Sequence, residues 1–211
     1  MKLYYSPGAC SLAPHIALRE AERSFELARV DLHSHRLANG DDYCLVNPKG
    51  RVPALQLDGP GSDILTEAQV VLQYIADLVP EKAMIPPAGT FARYHAMELL
   101  SFISTEIHKQ FTPLFRPETP SPVQERQRGK IGASLLLLQD RLVDRPFLSG
   151  ETFTVADCYL YVMLRWCDRF GMDVQEWPNL DYFLHRVAER PSVQGALAAE
   201  GLTSTRMRRS A

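Results

Sequence analysis

The spacing of hydrophobic and polar residues changes character near residue 80. Before that point, short runs with strand character alternate with helical segments, beginning with a strand over 2–5 and a helix over 11–23. A second strand is predicted over 25–32. A strand, a helix and a strand in this order predict a right-handed parallel βαβ unit.

A hairpin and a further helix complete this first part of the chain. The segments 52–57 and 63–65 flank Asp58-Gly59-Pro60-Gly61, a sequence of turn-forming residues, and we expect them to form a β-hairpin. A helix is predicted over 67–78. Residues 1–80 therefore predict a small α/β domain.

The second part of the chain is predicted to be all-helical. The segment 79–89 contains Pro80, Pro86 and Pro87, cannot continue a helix, and is interpreted as a linker. Beyond it, apolar residues recur at spacings of three and four, and the polar, basic tail 203–211 is expected to fray. The predicted helices cover 91–112, 121–143, 154–170, 179–189 and 192–200. Residues 87–211 are thus expected to form a helical domain, and the fold class is α/β plus all-α.

Composition and charge narrow the classes of function. The chain has 211 residues, and its 23 Lys and Arg against 25 Asp and Glu give a net charge of -2, so no global positive field attracts nucleic acid or an anionic membrane. No apolar run approaches the ~20 residues that span a bilayer, and the N-terminus lacks the apolar core of a secretory signal. We expect a cytoplasmic protein without nucleic-acid or membrane partners.

The cysteines predict free thiols. Cys10, Cys44, Cys158 and Cys167 show no CxxC and no paired Cys/His spacing typical of zinc, so no metal site is expected. At this density they are interpreted as reduced.

Five stretches of the sequence carry a resemblance to a known family. They are YSPGACSLAPHIALRE, NPKGRVPALQLD, LTEAQVVLQYIAD, HKQFTPLFRP and FTVADCYLYVMLRW. In this order, over residues 1 to about 202, they resemble the glutathione S-transferases, specifically the bacterial beta class. The resemblance implies a thioredoxin-like N-terminal domain followed by an all-helical bundle, in agreement with the pattern above.

The resemblance also implies a substrate. Glutathione, γ-Glu-Cys-Gly, would serve as co-substrate without a tightly bound cofactor, and a hydrophobic electrophile would occupy a pocket of the helical domain in a homodimer. The tripeptide carries two carboxylates, an ammonium and a thiol, so its site must pair these charges and stabilise the thiolate, which is the nucleophile.

Cys10 is the first candidate catalytic residue. It follows a strand and a Pro-Gly turn and stands where the first helix is predicted to begin, a position that favours an anionic sulfur. The resemblance implies a mixed disulfide between Cys10 and glutathione; the alternative is a small buried hydrophobic residue. Ser11 is expected to cap the helix first, and to donate its hydroxyl to the sulfur second.

Two backbone features are candidates for binding glutathione. The resemblance implies a cis bond between Val52 and Pro53 and backbone hydrogen bonds from Val52 to the cysteinyl amide; alternatively, Pro53 only begins a strand. At the start of the helix 67–78, free N–H groups near Ala68 can bind the γ-Glu carboxylate, and Glu67 can pair the ammonium. The alternative is that Glu67 complements the helix dipole. Relatives often carry a serine where this chain has Ala68.

Polar residues follow one face of the predicted helix 91–112. The resemblance implies that His108 and Lys109 approach the thiol and that neighbouring positions reach the glutathione backbone, in part from the partner subunit. These neighbouring positions are Ser101, Thr105, Glu106 and Ile107. Ser101 replaces an asparagine of close relatives, and a solvated surface histidine is the alternative for His108.

A third region concerns the glycine carboxylate of glutathione. Close relatives place a lysine in the segment 31–40 for this contact, whereas this chain has His35. A neutral imidazole donates a hydrogen bond but supplies a full charge only below its pKa, near ~6.5. His33 and Arg36 are equally open alternatives.

The sequence thus predicts a glutathione transferase that conjugates hydrophobic electrophiles and exchanges thiols and disulfides through Cys10. Thr154 and Asp157 are expected to form a capping box that folds the helical domain and has no catalytic role. The alternatives are a glutathione-dependent dehalogenase or isomerase of the same superfamily, and a ligand-binding protein without catalysis on this fold.

Overall fold

The computed structural model describes residues 1–59 and 63–203 and contains two compact units. One unit comprises residues 1–82 together with the segment from residue 189, and the other comprises 83–188. The sequence-based ranges, 1–80 and 87–211, assign the last helix to the second domain, whereas that helix packs within the first unit. The tip of the predicted hairpin, 60–62, and most of the predicted tail, 204–211, lie outside the described residues.

The first unit contains a five-stranded sheet of order β3-β2-β1-β4-β5. Strands β1 and β2 are parallel and joined by helix α1, which confirms the predicted βαβ unit. Strands β4 and β5 are antiparallel, which confirms the hairpin, and the short β3 was not predicted. The elements are β1 (Lys2–Tyr5), α1 (Leu12–Glu20), β2 (Glu26–Asp31), β3 (Arg36–Leu37), β4 (Ala54–Gln56), β5 (Ile64–Thr66) and α2 (Ala68–Asp77).

Helix α7 (Pro191–Ala199) is tied to α1 by apolar packing and by ion pairs. The Arg190 guanidinium and the Ser192 hydroxyl both donate to the Glu20 carboxylate. Burial alone would raise the pKa of Glu20, but these hydrogen bonds outweigh it and hold the pKa below its usual value. The contacts explain why α7 joins the first unit, although it follows the second unit in sequence.

A second buried contact ties α7 to the loop before α1. The Glu200 carboxylate, at the end of α7, accepts hydrogen bonds from His15 Nδ1 (2.8 Å) and the Gly8 N–H (2.9 Å). His15 Nε2 accepts from Arg19 Nε, so the imidazole proton lies on Nδ1. The side chains of His15 and Glu200 have no solvent exposure.

The second unit is helical, as predicted. Its α-helices are α3 (Phe91–Phe102), α4 (Ser121–Arg141), α5 (Val155–Arg169) and α6 (Pro178–Ala188). At the start of α5 the Asp157 carboxylate accepts from the N–H and hydroxyl of Thr154 and from the Leu148 N–H, which confirms the capping box. Burial raises the pKa of Asp157 to about 6 despite these donors. Within the described residues, no helix is long and apolar enough to cross a membrane.

The continuous helix predicted over 91–112 was wrong. Regular α-helix ends at Phe102, a π-helical segment follows over Ile103–His108, and a 3-10 segment runs over Lys109–Phe115. The Thr105 hydroxyl donates to the Ser101 carbonyl, and Gln110 Nε2 donates to the Thr105 carbonyl, so side chains compete for backbone acceptors here. Pro113, which has no N–H, lies inside the 3-10 segment.

Candidate active site

Cys10 lies in the loop between β1 and α1, two residues before the first residue of the helix. Its side chain is almost completely buried, and its thiol donates a hydrogen bond to the Val52 carbonyl at 3.2 Å. Tyr43 Oη and Asn47 Nδ2 both donate to the carbonyl of Arg51, the residue before Val52. The acceptor of the Cys10 thiol is therefore held by a hydrogen-bonded loop.

The burial of Cys10 opposes the thiolate form that its position in the sequence led us to expect. Burial raises the pKa of the thiol to about 12. The backbone N–H groups of Cys10 and Ser11 oppose this rise, and the smaller effects of the Glu67 carboxylate and the Arg51 guanidinium have opposite signs. The cost of burying a negative sulfur exceeds the stabilisation available from the helix N-terminus. The burial of Cys10 therefore favours the neutral thiol.

Ser11 does not cap α1, although it occupies the N-cap position. Its hydroxyl accepts from the Ser6 N–H at 3.2 Å and points its proton at the Ser6 carbonyl, 3.4 Å away. The backbone of Ser11 already has a helical conformation, which turns the hydroxyl away from the N–H groups of the helix. The expected cap was thus wrong, and Ser11 instead closes the loop that carries Cys10.

The bond between Val52 and Pro53 is cis, as the resemblance implied. Val52 is buried in a small core with Tyr4, Val30, Tyr43 and Ala54. Because β4 begins at Ala54, the two residues stand at the entrance of a central strand, directly opposite the Cys10 sulfur.

Helix α2 begins at Ala68, immediately after Glu67. Glu67 has a positive φ of 69° and makes no side-chain cap, so its carboxylate turns outwards and pairs with Lys49 Nζ at 2.6 Å. Lys49 also donates to the Thr66 hydroxyl. In any α-helix the first N–H groups have no partner in the helix, so the end at Ala68 offers donors to an anion.

His35 lies beside the loop that contains Gly50, and one of its ring nitrogens makes a hydrogen bond within the protein. Its Nδ1 is 3.1 Å from the Gly50 carbonyl, an acceptor, so the neutral ring carries its proton on Nδ1 and leaves a lone pair on Nε2. His35 can therefore donate to a carboxylate through Nε2 only when protonated. The exposed Arg36 donates to the Gly40 carbonyl, and the His33 N–H donates to Asp31.

Lys49 and Arg51 are charged residues that the sequence analysis missed. One pairs with Glu67 and the other acts electrostatically on Cys10. Both belong to the stretch NPKGRVPALQLD, in which only Val52 and Pro53 were singled out. Two cations at alternate positions directly before the Val52-Pro53 pair were the available signal.

The remaining predicted residues belong to the second unit. His108 ends the π-helical segment, and its Nδ1 is 2.6 Å from the Tyr159 hydroxyl. Its ring lies edge-on to the rings of Tyr159 and Trp166. Four other predicted residues are exposed on the same segment and its flanks: Ser101, Thr105, Glu106 and Lys109. Ile107, the fifth predicted position of this region, has no solvent exposure.

Tyr159 and Trp166 were missed as neighbours of His108. They stand seven residues apart on α5, a spacing that places both on one face of the helix. Their stretch, FTVADCYLYVMLRW, was used for the family resemblance and for the capping box, and neither feature points to His108. Among the described residues, no three His, Cys, Asp or Glu side chains are grouped as a metal site.

Comparison with known proteins identifies the class. Residues 1–77 match the glutathione S-transferase N-terminal domain, and residues 102–191 match the C-terminal domain of the same family. A glutathione S-transferase of Escherichia coli O157:H7, GstA, is 47% identical over 96% of this chain and 100% of its own. The chain belongs to the glutathione S-transferase family, and it is a transferase with glutathione as co-substrate.

Solved structures identify the class within that family. A bacterial beta-class glutathione S-transferase of Sphingomonas chungbukensis is 46% identical with a TM-score of 0.92, covering 96% of this chain and 100% of that one. A sphingomonad glutathione S-transferase complexed with glutathione is 44% identical with a TM-score of 0.91 and the same coverage. The structural neighbours are thus bacterial beta-class enzymes, and the dehalogenase, isomerase and non-catalytic alternatives are not favoured.

Proposed function

We propose that this protein conjugates the glutathione thiolate to hydrophobic electrophiles, with the tripeptide bound between the Cys10 loop, Val52 and the N-terminus of α2. One observation carries this proposal. The Cys10 thiol contacts the Val52 carbonyl, and the Glu67 carboxylate acts on the same sulfur electrostatically. Cys10, the Val52 backbone and Glu67 therefore lie in one region of the first unit. They are suited to bind the thiol, the peptide backbone and the amino terminus of glutathione, respectively.

Each charge of glutathione has a proposed partner in this region. The backbone of Val52 pairs with the cysteinyl amide as an added strand would. The N–H groups at Ala68 bind the γ-Glu carboxylate, and Glu67, held by Lys49, pairs the ammonium. Ala68 contributes its backbone alone, because it has no hydroxyl. A protonated His35 is the proposed partner of the glycine carboxylate, with His33 and Arg36 as alternatives.

The neutral state of Cys10 favours conjugation over thiol exchange as the main reaction. In conjugation the attacking sulfur belongs to glutathione, so a neutral Cys10 can assist by donating a hydrogen bond. In exchange, the Cys10 thiolate would attack a glutathione disulfide, forming a mixed disulfide and releasing a glutathione thiolate. A buried thiol with a raised pKa supplies little of that nucleophile at neutral pH.

A homodimer is proposed because α3 exposes an apolar stripe. Phe91, Tyr94 and Met97 are 77%, 59% and 40% exposed and recur every three residues along one face. Ser101 lies on the same helix and Thr105 on the π-helical segment that follows it, so the proposed interface would lie beside them. Sedimentation should detect a dimer that Phe91→Asp weakens; a wild-type monomer at micromolar concentration contradicts the proposal.

We place the enzyme in the cytoplasm. All four cysteines lie among the described residues as free thiols, a state typical of a reducing compartment.

Calorimetric titration with glutathione tests the site. Cys10→Ala should bind within about tenfold of the wild-type affinity, because the charged partners remain. Glu67→Gln should bind about tenfold or more weakly, since it loses a charge-assisted contact with the ammonium. Glu81→Gln, an exposed carboxylate of the same unit, serves as the matched control. Equal binding by Glu67→Gln and the control would contradict the proposed site.

A further inference from the structure

A cleft of about 320 Å³ lies within the second unit, lined by helix α6 and by the turn that follows α4. Helix α6 contributes Asn179, Tyr182 and Arg186, which are spaced by three and four residues and therefore share one face of the helix. The turn contributes Arg145 and Pro146. Ligand pockets in proteins measure about 300–1,000 Å³, so this α4–α6 cleft is large enough for a small organic ligand.

Hydrogen bonds join α6 to α4 and to the turn at two places along the α4–α6 cleft. Arg186 Nη1 donates to the Pro146 carbonyl at 3.0 Å, and Asn179 Nδ2 donates to the Gln139 carbonyl at 3.2 Å. Tyr182 lies between these two donors on α6, and it is 68% exposed. The contacts hold α6 in place on either side of Tyr182 and leave the ring of that residue accessible to a ligand.

The lining of the cleft carries an excess of positive charge. Arg145 and Arg186 are both exposed, and among the described lining residues Asp144 is the only carboxylate. Neither arginine forms an ion pair with any side chain in residues 1–59 and 63–203, and the contact of Arg186 with Pro146 is to a neutral carbonyl. Because two cations face one acid, the cleft attracts an anion.

The types of side chain in the cleft indicate which anion fits. A guanidinium group binds phosphate or carboxylate oxygens through two parallel N–H donors. A phosphate monoester carries a charge of about −1.5 to −2 near neutral pH and so matches two arginines, whereas a carboxylate carries a single charge. The exposed ring of Tyr182 offers a flat apolar surface on which another ring can pack.

We propose that the α4–α6 cleft binds a small organic phosphate, a phosphate monoester attached to a ring. Its phosphate oxygens accept hydrogen bonds from Arg145 and Arg186, and its ring packs on Tyr182. The carboxylate of Asp144 disfavours a second anionic group on the same ligand, because like charges repel. This inference does not depend on the proposed function, since none of these residues belongs to the candidate active site.

Calorimetric titration of the full-length protein with phenyl phosphate tests the ligand class. We expect saturable binding near neutral pH, and an affinity about tenfold lower for inorganic phosphate, which has no ring, and for phenol, which has no phosphate. Tyr182→Ala should remove the preference for phenyl phosphate over inorganic phosphate. Binding should weaken below pH ~6, where the monoester gains a proton. No saturation at about 10 mM phenyl phosphate, or equal affinity for inorganic phosphate, overturns the proposal.

Variants of the two arginines test the location. Arg145→Gln and Arg186→Gln should each weaken the binding of phenyl phosphate about fivefold or more, because each loses a charge-assisted contact. Arg126→Gln removes an exposed cation of α4 outside the cleft and should bind as the wild-type protein does. Arg145→Gln decides the question even if Arg186→Gln, which also loses the contact with Pro146, does not fold. Equal affinities of Arg145→Gln and Arg126→Gln for phenyl phosphate overturn the proposed location.

Discussion

The two ends of the candidate site in the first unit differ in their solvent exposure. At the sulfur end, Cys10 is buried and its loop is anchored by the fully buried pair His15 and Glu200. At the charged end, Glu67 and Lys49 are 62% and 53% exposed and pair in solvent. Buried polar contacts are costly to break, whereas exposed ion pairs contribute little to stability. The difference suggests a rigid position for the reacting sulfur and an adaptable one for the ammonium.

The largest expected effect concerns the ionisation of Cys10. A pKa raised from 9.0 to about 12 reduces the thiolate fraction near neutral pH about 1,000-fold, since each pKa unit is a factor of ten. Alkylation of Cys10 by iodoacetamide should therefore be slow and should still rise about tenfold per pH unit above pH ~9, where an ordinary thiol levels off. Peptide mass mapping in a Cys44→Ser background follows this site without the partly exposed thiol.

The same shift affects stability with a defined sign. Between the unfolded pKa near 9.0 and the folded pKa of about 12, the folded protein retains a proton that the unfolded chain has lost. The free energy of unfolding should therefore fall as pH rises through this window. A rate of alkylation that levels off below pH ~8 would show that the sulfur end is not buried as described.

A second prediction addresses the anchor of the Cys10 loop. Glu200→Ala removes the acceptor of the Gly8 N–H and of His15 Nδ1 at a site without solvent exposure, and should lower the free energy of unfolding by about 3 kcal/mol. Glu200→Gln keeps an amide oxygen as acceptor and should lose less. Urea denaturation measures both variants. Equal and small losses would mean that the anchor does not contribute to stability.

The sequence predicted most of the framework that carries these two ends. The βαβ unit, the hairpin and the helices were found because their apolar periodicity is local and agrees with the tertiary fold. The failures at the candidate site share a different cause. The burial that holds Cys10 neutral, the Ser6 contacts of Ser11 and the pairing of Glu67 with Lys49 depend on groups brought together by the fold, which the spacing along one segment does not encode.

The long helix 91–112 failed for a local reason that was visible in the sequence. Thr105 and Gln110 offer side-chain hydrogen bonds to backbone carbonyls, and Pro113 follows closely. Periodicity alone does not register this competition, because the apolar spacing continues through the π-helical and 3-10 segments. The contact of His108 with Tyr159 could therefore not be predicted without knowing that this segment is π-helical.

The smallest expected effect concerns the exposed ion pair between Glu67 and Lys49. Lys49→Met removes the partner of Glu67, yet the free energy of unfolding should change by less than about 1 kcal/mol, because both side chains are more than half exposed. The change should shrink further in about 1 M salt, which screens exposed charges. Urea denaturation at low and high salt measures this, with Lys2→Met, which breaks the exposed pair with Glu26, as the matched control. A loss comparable to that of Glu200→Ala would mean that the Glu67 end is as rigid as the Cys10 end. That result would contradict the proposed difference between the two ends.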